Sequence, residues 1–333
     1  MKVAMLIPPY RYGLNPAQWI SVPPQGYGGI QWVAAAIIDG LLKCGVEVLL
    51  IGAPGSPERA GLSVSAATEE PGVREALQQW KPDLIHDHSN AALLPALLPW
   101  PTVATSHLNG IPARRRNCVY VSDAQRHRSG SVSAPVIPLP VNPEGCQFSN
   151  RKDDYLLFLG RISAHKGAYE AASFAEAAGL PIKIAGPAWE PEYLQRILRD
   201  FPATVEYLGE VGGAMRTELL SRARAIMVLS QSKGGPFGGT WSEPGATVVS
   251  EAAASGTAVI ATDNGCLPEI VPGVGVVLAE DSMTTPVSAE RTLALLPHPE
   301  QIRTEAVSRW GHVATARRYL KLYERAVGGA EWI

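Results

Sequence analysis

The sequence predicts an α/β protein with two domains, each built around a parallel β-sheet. A chain of 333 residues is longer than one hydrophobic core usually supports, since single cores stop growing at roughly 250 to 300 residues. Short runs rich in Val, Ile and Leu alternate with Ala-rich stretches of helical period, which is the pattern of βαβ units. The alternation occurs on both sides of segment 135–145, which carries four prolines. We therefore expect two similar folds joined near this segment.

The order of elements in the first half indicates a Rossmann-like domain. The pattern predicts strands at 3–7, 46–51, 84–87, 102–105, 118–121 and 136–137, and helices at 28–43, 73–80 and 123–128. These elements place the first domain at 1–145.

The second half shows the same succession of strands and helices. It predicts strands at 155–160, 182–185, 205–208, 226–229 and 258–261, and helices at 166–178, 191–201, 215–223 and 244–255. We place this second Rossmann-like domain at 146–309. A final amphipathic helix begins near Trp310, with Ala314, Tyr319, Leu320, Leu322 and Tyr323 near one face. We expect this helix, 310–330, to pack back on the first domain.

Composition narrows the possible partners. Apolar residues make up 46% of the chain and charged residues 18%, a globular balance. The formal net charge of −2 gives no electrostatic case for nucleic acid as a partner. No apolar stretch reaches the length of a membrane span, which leaves only peripheral membrane contact open, and we expect a cytoplasmic protein. The four cysteines have no metal-ligand or disulfide spacing, so no metal site is predicted.

Two carboxylates, Glu243 and Glu251, stand eight residues apart at the start of a predicted helix in which Pro244 suits the first position. A helix N-terminus presents free amides and a partial positive charge, which suits a diphosphate, and we expect Ala246, Thr247 and Val248 to be the donors. At roughly 1.5 Å per residue, the acids are about 12 Å apart along the axis. That spacing would let Glu243 bind a sugar and Glu251 a ribose, although a cap acid with a surface glutamate fits the pattern equally well.

Two cations, Arg161 and Lys166, flank a predicted strand-to-helix loop. Such loops lie at the carboxyl edge of a parallel sheet, where ligands bind. A guanidinium fork and an ammonium group there would offset the charge of a departing diphosphate. A loop with four glycines in seven positions, 234–240, could order over the bound ligand.

The first domain offers weaker signals. Gly28 and Gly29 lie in a loop before a helix, without the G-x-G-x-x-G order of a dinucleotide site, and we interpret them as lining the ligand site. His107 follows a strand end, where it could reach the reacting centre. His86, Asp87 and His88 end an earlier strand, and we interpret them as scaffold or acceptor-side residues, because their spacing does not support a metal site.

At these residues the chain resembles the retaining glycosyltransferases of family 4, which have the GT-B fold of two Rossmann-like domains with parallel sheets facing across a cleft. The resemblance spans nearly the whole chain, and segment 19–33 is similar to the avilamycin-type antibiotic glycosyltransferases. It rests on Gly28 with Gly29, Arg161 with Lys166, Glu243 with Glu251, and the closing helix with Tyr319 to Glu324.

The resemblance implies a function and roles for these residues. Arg161 and Lys166 would hold the diphosphate of a UDP, GDP or dTDP sugar, Glu251 its ribose and Glu243 the transferred sugar, with Gly28 and Gly29 also on the donor side. No metal or permanently bound cofactor is required. The first domain would bind a saccharide or secondary-metabolite acceptor.

One departure from the family pattern concerns the phosphate contacts. The family has Glu-Gly-Phe-Gly where this chain has Glu243 followed by Pro244, Gly245 and Ala246, and proline supplies no amide N–H. Two other functions fit the same architecture, a sugar-nucleotide epimerase and a non-catalytic nucleotide-sugar binding protein. The base, sugar and acceptor stay open.

Overall fold

The computed structural model describes residues 1–12, 15–95, 99–109, 116–235, 239–282 and 284–332. The chain divides into two compact units, 1–142 with 310–333, and 143–309. Each unit contains one parallel sheet of six strands within the described residues. No helix in these ranges is both long enough and apolar enough to cross a membrane.

The first unit contains β-strands and α-helices in mixed order, and its buried strands carry polar as well as apolar side chains. Its elements up to the linker are β1 (Lys2–Leu6), β2 (Arg11–Tyr12), β3 (Asn15–Trp19), α1 (Gly29–Lys43), β4 (Glu47–Ile51), β5 (Leu62–Ser65), α2 (Glu70–Trp80), β6 (Leu84–Asp87), β7 (Thr102–Thr105), β8 (Cys118–Val119) and α3 (Asp123–Arg128).

The second unit repeats this plan, and one further helix follows it. The elements are β9 (Leu156–Leu159), α4 (Ala168–Ala177), β10 (Ile182–Ala185), α5 (Pro191–Asp200), β11 (Val205–Tyr207), α6 (Gly213–Arg222), β12 (Ala225–Val228), α7 (Thr247–Ala254), β13 (Ala258–Thr262), α8 (Leu267–Ile270), β14 (Gly275–Leu278), α9 (Pro286–Ala294), α10 (Pro299–Trp310) and α11 (His312–Val327).

Both sheets have the same strand order. The first runs β5-β4-β1-β6-β7-β8 and the second β11-β10-β9-β12-β13-β14, with parallel pairing throughout. Each is the doubly wound order 3-2-1-4-5-6 of a Rossmann fold, which confirms the predicted fold class of the units. The order reverses between β1 and β6 in one sheet and between β9 and β12 in the other. Ligands bind at the carboxyl ends of the strands at such reversals.

The last helix, α11, packs on the first unit although it follows the second in sequence. Ala316, Tyr319, Leu322 and Tyr323 join the core formed with α1 and the first sheet. Gly40 of α1 makes this packing close, because a β-carbon there would lie 2.3 Å from the backbone oxygen of His312. Leu320 is partly buried against the same core, but the prediction that Ala314 faces it was wrong, because Ala314 is exposed.

Several other sequence predictions need correction. Predicted strand 136–137 forms only an isolated bridge, between Val136 and Tyr120. The sequence pattern also failed to predict the antiparallel pair β2-β3, strands β5 and β14, and helices α8 to α10. Strand β5, with the sequence Leu-Ser-Val-Ser, lies at the edge of its sheet and has only one buried residue, so its apolar signal is weak.

Candidate active site

The centre of the candidate site is the carboxylate of Glu243, in the second unit. The residue is 4% exposed, and its Oε2 accepts hydrogen bonds from Lys166 Nζ at 2.6 Å, Ser230 Oγ at 2.7 Å and Trp241 Nε1 at 3.3 Å. Burial acts to raise the pKa of Glu243, but the Lys166 charge and these hydrogen bonds outweigh it and lower the pKa. Glu243 is therefore ionised at neutral pH.

All three donors contact the same carboxylate oxygen. Among the described residues, Oε1 of Glu243 is therefore left to accept a hydrogen bond from a ligand hydroxyl. A buried carboxylate that is held this firmly loses little conformational freedom when a ligand binds.

The backbone of Glu243 is also fixed. Its N–H donates to Asn264 Oδ1 at 2.8 Å, and its carbonyl accepts from the Cys266 N–H at 2.9 Å. Gly265 lies between these partners with φ of +56°, and a β-carbon there would lie 2.2 Å from the Glu243 carbonyl oxygen. Glycine at 265 is therefore required for the backbone at Glu243 to approach this loop.

These backbone contacts correct the predicted start of the helix. Pro244 was expected at the first helical position, but α7 begins at Thr247 with Ala246 as its N-cap. Residues 243–246 are instead held in non-helical backbone against the 264–266 loop. The distance of about 12 Å between the two acids assumed one continuous helix at roughly 1.5 Å per residue, and that assumption was wrong.

The later start of α7 also affects the predicted phosphate donors. The amides of Thr247 and Val248 open α7 and have no carbonyl one turn earlier within the helix. Ala246, in contrast, is the N-cap of α7 and has extended backbone, so its N–H precedes the first turn of the helix. Thr247 and Val248 are thus better placed than Ala246 to bind an anion.

Lys166 lies between Glu243 and an aromatic ring. Its ammonium nitrogen is 4.8 Å from the centroid of Trp241, and the His165 ring packs on the same indole at 4.7 Å. Burial, together with the charges of Lys166 and Arg161, lowers the pKa of His165 to about 4, so this ring is neutral at neutral pH. The local cations are therefore Lys166 and Arg161.

The predicted role of Lys166 as the start of a helix was wrong in detail. Residues Ala164–Lys166 form a short 3-10 turn, and α4 begins after Gly167. Gly167 has φ of +73°, and a β-carbon there would lie 1.8 Å from the Leu229 carbonyl oxygen. The glycine therefore lets the loop after β9 lie against the end of β12, where the strand order reverses.

Arg161 follows the end of β9 on this loop. Its guanidinium lies over the ring of Trp189, at 4.5 Å from the centroid. Among the described residues, Nε of Arg161 and Oγ of the nearby Ser163 are buried without hydrogen-bond partners. Unsatisfied buried donors cost about 1 to 3 kcal/mol each, and an anion bound here would recover part of that cost.

Glu251 lies one turn from the end of α7 and is 7% exposed. Arg216 Nη2, from α6, donates to its Oε2 at 2.8 Å, and both side chains are largely buried. The ion pair fixes the orientation of the carboxylate. Sequence reasoning missed Arg216, and it equally missed Ser230, Trp241 and Asn264.

The other predicted site residues belong to the first unit. Gly28 is the N-cap of α1 and Gly29 is its first residue. His107 lies just beyond β7, where its Nε2 is 2.8 Å from Nδ1 of His88. Asp87 accepts hydrogen bonds from the Ser89 and Ala91 backbone, which fits the scaffold role expected for it. Of the predicted glycine-rich loop, 236–238 lie outside the described residues.

No group of three or more His, Cys, Asp or Glu side chains within the described ranges is arranged to hold a metal ion. The chemistry of the site is that of two buried carboxylates, each paired with a cation, next to a helix N-terminus.

Comparison with known proteins identifies the class of protein to which this fold and site belong. Two solved structures share the fold at low sequence identity. Sucrose-phosphate synthase from Thermosynechococcus elongatus has a TM-score of 0.75 at 14% identity, covering 99% of this chain and 100% of that one. The Anabaena protein HepE, solved with UDP-glucose, has a TM-score of 0.67 at 16% identity, covering 97% and 99%. At this level of identity, the two matches show that the fold of the chain is shared with these proteins.

The family follows from two further matches. The family model described as glycosyl transferases group 1 matches residues 147–284. The crystal structure of a glycosyltransferase involved in avilamycin A biosynthesis is 50% identical to the chain, with a TM-score of 0.95, covering 100% of this chain and 99% of that one. A comparison with curated protein sequences found no match. The chain belongs to the group 1 glycosyl transferases.

Proposed function

We propose that this glycosyltransferase transfers a sugar, with retention of configuration, from a nucleotide-diphosphate-sugar donor to a saccharide or secondary-metabolite acceptor. The observation that carries the proposal is the buried Glu243 carboxylate, held by Lys166 beside the start of α7. A second buried acid, Glu251, lies further along the same helix, paired with Arg216. This pattern suits an elongated ligand with an anionic centre and hydroxyl groups on both sides.

Each part of the donor can be assigned to particular residues from their charges. Arg161, Lys166 and the amides of Thr247 and Val248 would bind the diphosphate, since they combine two cations with a helix N-terminus. Glu243 Oε1 would accept a hydrogen bond from the transferred sugar, and Glu251 would accept from the ribose diol. UDP, GDP and dTDP sugars all carry these groups, so the base stays open, as does the sugar, hexose or pentose.

The reaction would proceed by substitution on one face of the sugar. The bond between C1 and the diphosphate oxygen breaks, and its electron pair leaves with the diphosphate. The acceptor hydroxyl oxygen bonds to C1 on the same face, and its proton passes to the departing diphosphate. Arg161 and Lys166 favour this step because they stabilise the charge that develops on the leaving group.

The acceptor is proposed from the relative that is 50% identical, which is described as taking part in avilamycin A biosynthesis. A saccharide or similar secondary metabolite is therefore the first acceptor class to test. We also place the reaction in the cytoplasm, which subcellular fractionation of the producing cells would test.

Product analysis tests the proposal. The purified chain is incubated with UDP, GDP and dTDP sugars and a panel of saccharide acceptors, and the products are identified by mass spectrometry and NMR. We expect an acceptor-linked sugar with the anomeric configuration of the donor, and strongly reduced product from Glu243→Gln. An inverted product would contradict retention. An interconverted donor would indicate an epimerase, and an unchanged donor that still raises the melting temperature would indicate a binding protein.

A further inference from the structure

Three histidines meet at the carboxyl edge of the first sheet. His86 and His88 lie at the end of β6, and His107 lies just beyond β7, the adjacent parallel strand. His88 Nδ1 is 2.8 Å from His107 Nε2, with the ring centroids 5.1 Å apart and the rings stacked. Strand β6 borders the point where the strand order reverses, which is where ligands bind in such sheets.

The two nitrogens of His88 have different surroundings. The residue is 3% exposed, and Nδ1 bonds to His107. Nε2 is buried and has no hydrogen-bond partner among the described residues. Burial, with lesser contributions from His86 and His107, lowers the pKa of His88 well below its usual value. The pKa of His107 falls to about 4 because its ring is poorly hydrated, an effect that the Asp87 charge only partly opposes.

Both imidazoles are therefore neutral at neutral pH, and one of them must donate its hydrogen to the other. If His107 donated through Nε2, His88 would carry its own hydrogen on Nε2, as a buried N–H without an acceptor. If His88 donates through Nδ1, only a bare nitrogen is left unbonded. Buried N–H groups without acceptors are rarer in proteins than unfilled acceptors, so donation by His88 is favoured.

We infer that His88 is a positioning residue that holds His107 with its hydrogen on Nδ1, so that His107 presents an N–H donor to a ligand oxygen at the edge of the first sheet. In a neutral imidazole, the hydrogen bond that one nitrogen makes determines which of the two nitrogens carries the hydrogen. His107 is half-buried, so its second nitrogen is the one that can serve a ligand. The ligand oxygen is a sugar oxygen, and the inference rests on the proposed function in this respect.

The neighbouring side chains hold the pair in place. His86 lies against His88 with ring centroids 4.1 Å apart. It bonds to Thr105 Oγ1 through Nε2 at 2.8 Å and to the Tyr323 hydroxyl through Nδ1 at 2.7 Å. Tyr319 in turn bonds to Thr105 at 2.9 Å. Helix α11 thus braces the end of β6, which accounts for the burial of two tyrosine hydroxyl groups on it.

The first arm of the test needs no turnover. The full-length protein is labelled with ¹⁵N-histidine and studied at pH 7. Two-dimensional NMR that correlates the imidazole nitrogens with the ring protons then identifies the tautomer of each ring. We expect His107 to be protonated on Nδ1 and His88 on Nδ1. Protonation of His107 on Nε2 would overturn the inference. Because this arm is independent of substrate, it separates failure of the inference from failure of the proposed function.

The second arm uses matched variants of His88. Asparagine places an amide nitrogen near the position of Nδ1, whereas leucine fills similar space without a donor. We expect His88→Leu to lower kcat/KM about tenfold or more and His88→Asn to stay near wild type. In His88→Leu the KM that rises, for donor or for acceptor, identifies which ligand His107 contacts. Unchanged kcat/KM in a folded His88→Leu protein would overturn the inference.

A double-variant cycle separates positioning from a purely structural effect. If His88 acts through His107, then His88→Leu should add no further loss of kcat/KM in a His107→Ala background. A further loss of the same size as in the wild-type background would overturn the inference, because His88 would then act without His107. Melting temperatures of all variants are measured to confirm that each remains folded.

Discussion

At the scale of single residues, the site consists of carboxylates paired with cations. Glu243 is ionised although it is buried, because Lys166 and two hydrogen-bond donors contact one of its oxygens. Removing one partner of a buried ion pair destabilises the folded protein strongly, by roughly 3 to 5 kcal/mol. Lys166 therefore supports the fold at this loop and, in our proposal, also binds the donor's diphosphate.

The variants Arg161→Ala and Lys166→Ala test the anion site. We expect each to lower kcat by about 10²-fold or more, because a charge that stabilises the leaving group is lost. Steady-state kinetics measures this effect. Arg199→Ala is the control, since Arg199 has a side chain 71% exposed on α5, and it should transfer sugar at the wild-type rate. Near-wild-type turnover by both site variants would contradict the assignment.

A variant of Arg216 tests the ribose site. Replacing Arg216 with Gln keeps a hydrogen-bond donor but removes the charge that orients Glu251. Since the ribose does not react, we expect the donor KM to rise while kcat changes little. Kinetics with varied donor concentration checks this. A fall in kcat at saturating donor, with an unchanged KM, would place Glu251 closer to the chemistry than we propose.

At the scale of elements, turns between strands and helices position the site. The loop after β13 contacts Glu243 through Asn264 and Cys266, and Gly265 permits that approach. Another turn, with Gly167, places Lys166 next to the end of β12. The acid and its cation thus come from different βα loops of one sheet.

Gly265→Ala tests the role of the first turn. The added β-carbon would clash with the Glu243 backbone, so we expect lower activity and a lower melting temperature. Gly179→Ala is a matched control, because Gly179 also has positive φ, +63°, but a β-carbon added there would meet nothing within 4 Å. The control should show only the cost of left-handed backbone, about 1 to 2 kcal/mol, and keep its activity. Equal effects from both substitutions would argue against the close approach.

Most elements that the sequence pattern failed to predict have weak apolar periodicity, but β14, with the sequence Gly-Val-Val-Leu, is an apolar run and was missed as well. Strands β6, β7 and β10 lie at their predicted bounds, and each contains buried aliphatic residues. Helices α9 and α10 are rich in polar residues and escaped detection. At the site, Glu243 and Lys166 could be predicted because each belongs to a local pattern. Arg216 and Ser230 could not, because they reach the acids only through the tertiary fold.

At the scale of the whole molecule, the buried histidines link stability to pH. Burial lowers the pKa of His86 to about 3, so between pH 3 and 6.5 the unfolded chain binds a proton that the folded chain does not. Stability is therefore fully present above pH 6.5 and is lost as the pH falls toward 3. His88 and His107 act in the same direction.

Thermal unfolding between pH 7 and 5 checks this linkage. We expect the melting temperature to fall with pH, with His86 contributing up to about 2 kcal/mol over that range. His86→Gln, which cannot titrate, should show a shallower pH dependence. His127→Gln, at an exposed position of α3, should keep the wild-type dependence. A stability that rises toward pH 5 would contradict the burial of neutral imidazoles.

We propose that Arg161, Lys166 and the start of α7 form one anion site, with Glu243 and Glu251 placed to bind the sugars on its two sides. A crystal structure of the chain with a bound nucleoside diphosphate tests it most directly. We expect phosphate oxygens within hydrogen-bond distance of Arg161, Lys166 and the Thr247 and Val248 amides, with the ribose hydroxyls on Glu251. A diphosphate bound away from both cations and from α7 would contradict it.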